Sequence, residues 1–264
     1  MSLEPTTRWN AADYHRSASA QTGWGREVHA RLDLHGDETL VDLGCGDGRL
    51  TAELSARLSS GTAIGVDADP DMIAFARRTH ARENVSFVRA DVRRFDLARR
   101  ADVIVSTACL HWVAEQEEVL RRCRAHLAPG GRIRFQMGGR GNCAEIFEAA
   151  RAVAALPRWA RWLSPLPEPW HFRGPEEWLP WLERTGFRSE RVELVPRDMV
   201  HGSLAELGFW IRTTWMPVLE RVPAPLRPDL VDAIVARHVA ARPLDAEGRT
   251  HTAMVRLEVE ATAA

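Results

Sequence analysis

A glycine-rich stretch between Leu40 and Arg49 carries the strongest chemical signal in the sequence. Its glycines, Gly44, Gly46 and Gly48, stand at alternate positions between a short apolar run and a helical pattern. This spacing removes every Cβ from one side of a turn, so that a ligand can approach the main chain beside a helix N-terminus. The pattern favours a ligand-binding strand–turn–helix unit over a tight turn that binds nothing.

The residues around this turn narrow the choice of ligand. A dinucleotide fingerprint would have a glycine where Arg49 stands, and a phosphate loop would end in Lys, which the chain lacks. A second strand, 63–66, leads to Asp67, and an acid at that place can accept both hydroxyls of a ribose. We therefore expect a nucleoside ligand other than NAD or ATP.

Further motifs extend this pattern to a family resemblance. The glycine-rich turn is followed by three more motifs: FVRAD, which ends at Asp91, then ADVIVSTACLHWV, then LAPGGRI. With these motifs, residues 39–137 resemble the class I S-adenosylmethionine (SAM)-dependent methyltransferases. The resemblance implies that SAM is the cofactor, with its methionine end on the glycine-rich loop and its ribose on Asp67, and S-adenosylhomocysteine as product. The cofactor-binding positions that we predict are Tyr14, Asp42, Gly44, Gly46, Asp67, Ala68, Met72, Asp91, Val92 and Ser106.

A second chemical signal follows the predicted strand 102–106. His111 and Trp112 come just after it, at the side of the sheet where a ligand is expected. Trp112 offers an indole N–H donor and an apolar wall, whereas His111 titrates near neutral pH and could be a general base. Packing for Trp112 and a solvated loop position for His111 are the alternatives.

The N-terminal segment adds a polar helix face. Asn10 can cap a helix over 11–20, and Tyr14, Ser17 and Gln21 then share one face, as expected for a lid helix over the SAM pocket or for an amphipathic surface helix. Together with LHWV, this face resembles the trans-aconitate and the insect juvenile hormone acid methyltransferases, which methylate small carboxylic acids. The resemblance implies that Gln21 and Trp112 hold the substrate carboxylate. The face also resembles, more weakly, that of the plant carboxyl methyltransferases, which have Asn at the position of Ser17.

The acceptor decides the mechanism. A carboxylate has a pKa near 4 and is already ionised, so it needs neutral donors rather than a base. A phenol or an amine would need a base, and His111 is the candidate. We therefore predict Gln21, His111 and Trp112 as catalytic residues of a carboxylic acid O-methyltransferase. Methylation of a hydroxyl, amine or carbon centre, or SAM binding without transfer, are the alternatives. The residues predicted to contact substrate are Trp24, Arg140, His171, Arg212 and Trp215.

The order of elements predicts an α/β, Rossmann-like fold with a seven-stranded, mostly parallel sheet and an antiparallel edge strand. Residues 1–38 would form lid helices broken at Gly23-Trp24-Gly25, and 39–137 the SAM-binding core. Residues 138–264 would complete the sheet, ending in a strand over 250–261 in which polar and apolar residues alternate with period two. They would also carry two helical inserts, 138–174 and 197–248, that cap the active site, with a helix over 203–219 in the second. The many Trp residues of these inserts suggest a sizeable apolar pocket, larger than citrate-like acids need.

Composition bounds the remaining possibilities. The chain has 264 residues and a net charge of −1, which favours neither nucleic acid nor an anionic membrane as partner. Its four cysteines form no CxxC pair, so we expect free thiols in the cytoplasm and no metal site. No apolar run is long enough to span a membrane. The only partner that we predict is a small-molecule substrate. We expect the protein to be a monomer or a homodimer.

Overall fold

The computed structural model describes residues 19–264, with side chains from residue 23 onward. The predicted helix over 11–20, with Tyr14 and Ser17, lies outside the described residues. Seven strands form one sheet in the order β3-β2-β1-β4-β5-β7-β6. The strands are β1 (Thr39–Leu43), β2 (Thr62–Asp67), β3 (Val85–Arg89), β4 (Ala101–Thr107), β5 (Leu127–Gly138), β6 (Phe187–His201) and β7 (Thr250–Ala263).

The middle of the sheet is parallel and buried. β1 pairs in parallel with β2 and β4, and all five of its residues are buried. Strands covered by helices on both faces read as continuous apolar runs, which is why Leu40, Val41 and Leu43 follow one another so closely. The strand order reverses between β1 and β4, and ligands of open α/β sheets bind at the carboxyl ends of the strands at such a point.

The last strand of the chain runs against its neighbour. β7 is antiparallel to β5, with Gly138 opposite Arg256 and Gln136 opposite Glu258. The predicted seven-stranded, mostly parallel Rossmann-like sheet is thereby confirmed. The polar face of β7 is buried, however, because Arg256 and Glu258 form an ion pair there that Arg31 also joins at 2.5 Å from Glu258.

Ten helices and two short 3₁₀ turns connect the described strands. The helix that begins at Pro70 follows the capping rules, because Asp69 accepts from the amides of Asp71 and Met72 and Pro70 occupies the first turn. The helices are α1 (Ser19–Ala30), α2 (Arg49–Ser55), α3 (Pro70–Thr79), α4 (Gln116–His126), α5 (Ala144–Ala154), α6 (Pro157–Leu163), α7 (Pro175–Arg184), α8 (Leu204–Thr214), α9 (Met216–Leu219) and α10 (Arg227–Ala241), and the 3₁₀ turns are Leu110–Trp112 and Ala224–Leu226.

The expected break at Gly23-Trp24-Gly25 is wrong, because α1 runs through all three residues. Gly25 has a packing role instead. A Cβ at this position would lie 2.6 Å from Cδ1 of Leu50 and 3.0 Å from Cγ2 of Thr107. The glycine therefore lets the helix approach α2 and the end of β4 closely.

One prediction for the C-terminal half also needs correction. The helix expected over 203–219 is two helices, α8 and α9, because Pro217 lacks the amide hydrogen that would continue the first helix. The Trp- and Pro-rich stretch after Leu156 contains the helix α6, which begins at Pro157. Proline at the first helical position supports a helix rather than breaking one.

The chain divides into two compact units. The first comprises the described residues up to 140 together with 170–195 and 256–264, and it contains most of the sheet. The second comprises residues 141–169 and 196–255 and is largely helical, with α10 packed on α5 and α8. Within the second unit the Trp215 ring lies 4.6 Å from the Phe147 ring, and both Trp215 and Trp159 are buried. None of the helices over residues 19–264 is both long and apolar enough to cross a membrane.

Candidate active site

The glycine-rich turn follows β1 directly and adopts a left-handed main chain. Gly44, Gly46 and Gly48 have φ angles of 73°, 54° and 81°, a region that side chains disfavour. The amides of Gly44 and Cys45 both donate to the carbonyl of Val66, at 2.7 and 3.1 Å. The turn is thus fastened to the end of β2, and both lie at the carboxyl edge of the sheet.

The expectation that all three glycines leave space for a ligand is wrong for two of them. A Cβ on Gly44 would lie 2.2 Å from the sulfur of Cys109, and one on Gly48 would lie 2.7 Å from Ala76 and from Phe87. These two glycines allow close packing of protein on protein. The amide of Gly46 instead donates to Oδ2 of Asp67 at 2.9 Å, which links the turn to the predicted ribose acid.

Asp67 ends β2 and remains able to bind a ligand. Its Oδ1 accepts from the amide of Asp69 at 2.8 Å and its Oδ2 from Gly46. Each carboxylate oxygen has a second lone pair, so ribose hydroxyls can still donate to it. Burial raises the pKa of Asp67 above its usual value. Next to it, Ala68 is half-buried and Met72 is buried in the first turn of α3.

Asp42 lies in β1 just before the turn and is also buried. It accepts from the Thr51 hydroxyl at 2.6 Å, and burial is the main reason that its pKa rises to about 6, with Asp67 adding to the shift. Among the described residues, neither carboxylate accepts from a guanidinium group. A buried acid, Asp42, beside a partly buried one, Asp67, favours a ligand that carries positive charge, and SAM with its sulfonium and ammonium groups fits them.

Asp91, which follows β3, is engaged by another side chain. Arg93 lies 2.5 Å from its carboxylate and also bonds Glu115 at 2.7 Å. Burial raises the pKa of Asp91, but the hydrogen bonds from Arg93 outweigh burial, so the net shift is downward. Val92 is buried beside it. Ser106, at the end of β4, uses its hydroxyl to donate to the carbonyl of Leu43 at 2.7 Å, which joins β4 to β1.

His111 lies in the 3₁₀ turn after β4 with a defined tautomer. The amide of Gly138 donates to Nδ1 of His111 at 3.2 Å, and an amide N–H can only donate. The neutral ring therefore carries its proton on Nε2. Burial lowers the pKa of His111 to about 3, so this neutral form holds throughout the physiological range. The ring is a hydrogen-bond donor with its basic nitrogen already occupied.

Four rings gather beside this turn, and we call them the aromatic cluster: His111, Trp112, Trp170 and Phe172. Ring centroids are 5.4 Å apart for Trp112 and Trp170, and 5.7 Å for His111 and Phe172. Trp170 and Phe172 are stacked, with planes 10° apart. All four rings are partly exposed, so together they present an apolar surface at the carboxyl ends of β4 and β5.

The segment that carries Trp170 and Phe172 is bonded through its main chain. The amide of His171 donates to the carbonyl of His111 at 2.7 Å, and the amide of Arg140 donates to the carbonyl of Arg173 at 2.9 Å. Burial lowers the pKa of the His171 ring. The Arg140 side chain points to two acids, Glu176 at 2.5 Å and Glu177 at 2.7 Å.

Helix α1 places two further predicted residues. Gln21 lies on α1 four positions before Gly25, and its side chain is outside the described part. The guanidinium of Arg256 lies over the Trp24 ring, with its Cζ 5.5 Å from the ring centroid. His29, buried one turn after Gly25, has Nε2 3.2 Å from the Thr107 hydroxyl. These contacts fix α1 over the end of β4.

The structure brings the predicted residues of the first unit together only in part. Asp42, Gly44, Gly46, Asp67, Ala68 and Met72 surround the glycine turn, and His111, Trp112 and His171 form or adjoin the aromatic cluster. Arg212 and Trp215 belong to the second unit, where Arg212 lies 5.7 Å from the Phe209 ring. Sequence reasoning missed Trp170, Phe172 and Gln116. The Trp-rich composition of residues 157–174 could have indicated Trp170, whereas nothing in the local sequence pattern indicates a role for Gln116.

A glycine turn after the first parallel strand and an acid after the second define a class of nucleoside-binding α/β proteins. Comparison with known proteins narrows that class. Residues 40–131 match the family model of a methyltransferase domain. A trans-aconitate 2-methyltransferase of Delftia acidovorans is 31% identical over 270 residues, which cover 96% of this chain and 97% of the relative.

Solved structures have the same fold at low identity. The YcgJ protein of Bacillus subtilis aligns with a TM-score of 0.62 and 13% identity, covering 94% of this chain and 98% of its own. A Haemonchus contortus phosphoethanolamine N-methyltransferase, solved with S-adenosylhomocysteine, aligns with a TM-score of 0.59 and 16% identity over 96% of this chain and 57% of its own. The chain belongs to the class I SAM-dependent methyltransferases, in the group that includes the trans-aconitate 2-methyltransferases. Its cofactor is SAM.

Proposed function

We propose that this methyltransferase transfers the methyl group of SAM to a carboxylate oxygen of a small acid with an apolar, ring-bearing body. The observation that supports this proposal most is the hydrogen bond that the amide of Gly138 donates to Nδ1 of His111. It leaves His111 a neutral donor, through Nε2–H, rather than a base. A carboxylate is ionised at neutral pH and needs donors of this kind.

The chemistry requires alignment rather than covalent catalysis. When bound, SAM supplies an electrophilic methyl group on a sulfonium, and the carboxylate oxygen displaces the sulfur to give a methyl ester and S-adenosylhomocysteine. Asp67 would hold the ribose, and Asp42 would favour the cationic end of the cofactor. The Nε2–H of His111, the indole N–H of Trp112 and the amide of Gln21 would orient the carboxylate without neutralising the charge that makes it nucleophilic.

The aromatic cluster supports an acceptor with a ring-bearing body. Flat apolar side chains bind flat apolar ligands through area and ring stacking. Arg173 follows Phe172 in sequence, and the amide of Arg140 donates to its carbonyl. Arg140 and Arg173 lie 2.7 and 3.7 Å from Glu177 and are therefore already ion-paired. An acid with one carboxylate suits this surface better than a tricarboxylate, whose further charges would need cations of their own.

Methylation of a hydroxyl, amine or carbon centre would need His111 as a base. Its occupied Nδ1 and a pKa lowered to about 3 count against that role. A cytoplasmic location also belongs to the proposal, and it is supported by four cysteines that are all free thiols.

A matched set of acceptors tests the proposal. Methyl-labelled SAM would be incubated with cinnamic, phenylpropionic and benzoic acids, with the alcohol and the amine of each carbon skeleton, and with trans-aconitic acid. We expect methyl esters of the ring-bearing acids, at least about tenfold slower transfer to trans-aconitic acid, and no product from alcohols or amines. Transfer to an alcohol or amine but to no acid would overturn the proposal.

A further inference from the structure

We propose that Gln116 is a positioning residue that holds the aromatic cluster in the arrangement needed to bind the acceptor, an inference that rests on the function proposed above. Gln116 is the first residue of α4, and its side chain is fully buried, at 0% exposure. It contributes no ring to the cluster. Its influence on the acceptor would therefore pass through the main chain of the residues that do.

The side-chain amide of Gln116 makes three hydrogen bonds. Its Nε2 donates to the carbonyl of Leu110 at 3.0 Å and to the carbonyl of His171 at 2.9 Å. Its Oε1 accepts from Nε1 of Trp178 at 3.1 Å. A primary amide is the neutral side-chain group that offers two donors and an acceptor together. Every bonding group of this side chain is thus used.

The three partners belong to three different parts of the fold. Leu110 begins the turn that carries His111 and Trp112, whereas His171 stands between Trp170 and Phe172. The two carbonyls that Gln116 binds therefore belong to the two halves of the aromatic cluster. Between the halves, the amide of His171 also donates to the carbonyl of His111 at 2.7 Å.

The third partner anchors this arrangement to the core. Trp178, on α7, is fully buried, and its ring lies 6.2 Å from the ring of Phe135 in β5. Gln116 therefore connects both halves of the cluster to a rigid part of the sheet. Without it, the carbonyl of His171 and the indole N–H of Trp178 would lose this partner, and the carbonyl of Leu110 would keep only the amide of Val113, at 3.0 Å. Buried polar groups without partners seek water at the expense of local packing.

The glycine turn would be unaffected by this loss. Neither Gly46 nor Asp42 nor Asp67 contacts Gln116 or its partners among the hydrogen bonds of the described residues. Removing the amide should therefore separate acceptor binding from cofactor binding. A residue with a merely structural role would not produce that separation.

The test compares Gln116→Leu with a matched control, Asn84→Leu, in the full chain. Asn84 also donates through its side-chain amide to two carbonyls, those of Ser55 at 2.9 Å and Leu58 at 3.1 Å, but it joins α2 to β3. The readouts are amide hydrogen exchange, SAM affinity by calorimetry, and kcat and KM for the best acid of the acceptor set.

For Gln116→Leu we expect exchange at least tenfold faster in residues 110–113 and 170–173, and a KM for the acid at least tenfold higher. SAM affinity should stay within twofold of wild type. Asn84→Leu should change neither the exchange of these segments nor the KM for the acid. Unchanged exchange and unchanged KM in Gln116→Leu would overturn the proposal, as would an equal rise of KM in the control.

Two further measurements keep the inference testable on its own. If Gln116→Leu does not fold, Trp178→Phe keeps an aromatic ring but removes the indole donor together with part of the ring volume, and we expect a KM raised by about threefold. If the wild-type protein methylates no carboxylic acid, the proposed function fails, and hydrogen exchange alone then decides whether Gln116 holds the two segments. Unchanged exchange in these segments would reject the positioning role.

Discussion

Gly44 and Gly130 have the same main-chain φ of 73° but different surroundings. A Cβ on Gly130 would meet nothing within 4 Å, whereas one on Gly44 would lie 2.2 Å from the sulfur of Cys109. Gly130→Ala should therefore cost only the left-handed strain, about 1 kcal/mol. Gly44→Ala should cost that strain plus overpacking, about 2–5 kcal/mol in all. Urea unfolding of both variants measures the difference, and equal losses would show that packing against Cys109 contributes nothing.

Asp42 should make SAM binding depend on pH. Burial raises its pKa in the folded protein to about 6, above the usual carboxyl value, so the group takes up a proton as pH falls through that range. A cationic ligand binds the ionised form better, and SAM affinity should therefore fall below pH 6, by up to about tenfold per pH unit. Calorimetry between pH 7.5 and 5 measures this. Asp42→Asn should bind more weakly with little pH dependence, and a flat wild-type profile would contradict the assignment.

A substitution at His111 tests whether this residue acts as a hydrogen-bond donor or as a general base. In His111→Asn the amide oxygen can still accept from the amide of Gly138, but an amide cannot act as a base. If His111 is a donor, kcat for a carboxylic acid should fall by no more than about tenfold, the value of one hydrogen bond. Loss of a general base would cost about 10²–10⁴-fold. Wild-type kcat should also be flat between pH 5.5 and 8.5, since the pKa of His111 is lowered to about 3.

At the scale of the element, α1 illustrates a glycine that sequence reasoning interpreted wrongly. Gly23 and Gly25 lie in the same helix, and only Gly25 contacts Leu50 and Thr107. Glycine lowers helix propensity wherever it stands, so the local pattern predicts a break. The reason for keeping Gly25 comes from two residues distant in sequence. Local propensity cannot reveal that contact.

These two glycines form a matched pair of variants. Among the described residues, a Cβ at Gly23 meets nothing within 4 Å, so Gly23→Val should change stability by less than about 1 kcal/mol. Gly25→Val should push α1 away from Thr107 and cost about 1–3 kcal/mol through overpacking. It should also raise the KM for the acid, because Gln21 lies on the same helix. Thermal unfolding and kinetics of both variants test this, and equal behaviour would refute the packing role of Gly25.

The strands were predictable because their signals are local. Short apolar runs marked β1, β2 and β4, with a glycine after the first and an acid at the end of the second, and the period-two pattern marked β7. The ends of α8 and the existence of α6 were not predicted, since each depends on where a proline falls within its helix. The aromatic cluster needs contacts between the turn after β4 and residues 170–172. No spacing along the chain reveals such contacts.

At the scale of the whole molecule, the proposed cofactor site and the proposed acceptor surface depend on different kinds of contact. The turn around Gly46 and the acids Asp42 and Asp67 depend on motifs that lie within about thirty residues, as nucleoside sites of this fold do. The aromatic cluster combines segments some sixty residues apart and depends on the buried amide of Gln116. The cofactor predicted from the sequence is therefore confirmed by the family, whereas the carboxylic acid acceptor stays a proposal.

The most direct test of this account is the ratio of kcat/KM for cinnamic acid to that for cinnamyl alcohol, measured with labelled SAM at pH 7. The two molecules have the same ring and carbon skeleton and differ only in the oxygen-bearing group. If neutral donors orient an ionised acceptor, the product is methyl cinnamate. The ratio of the two kcat/KM values should then be at least about 10³, because the alcohol would need a base. A ratio near or below one, with the methyl ether as product, would contradict the account.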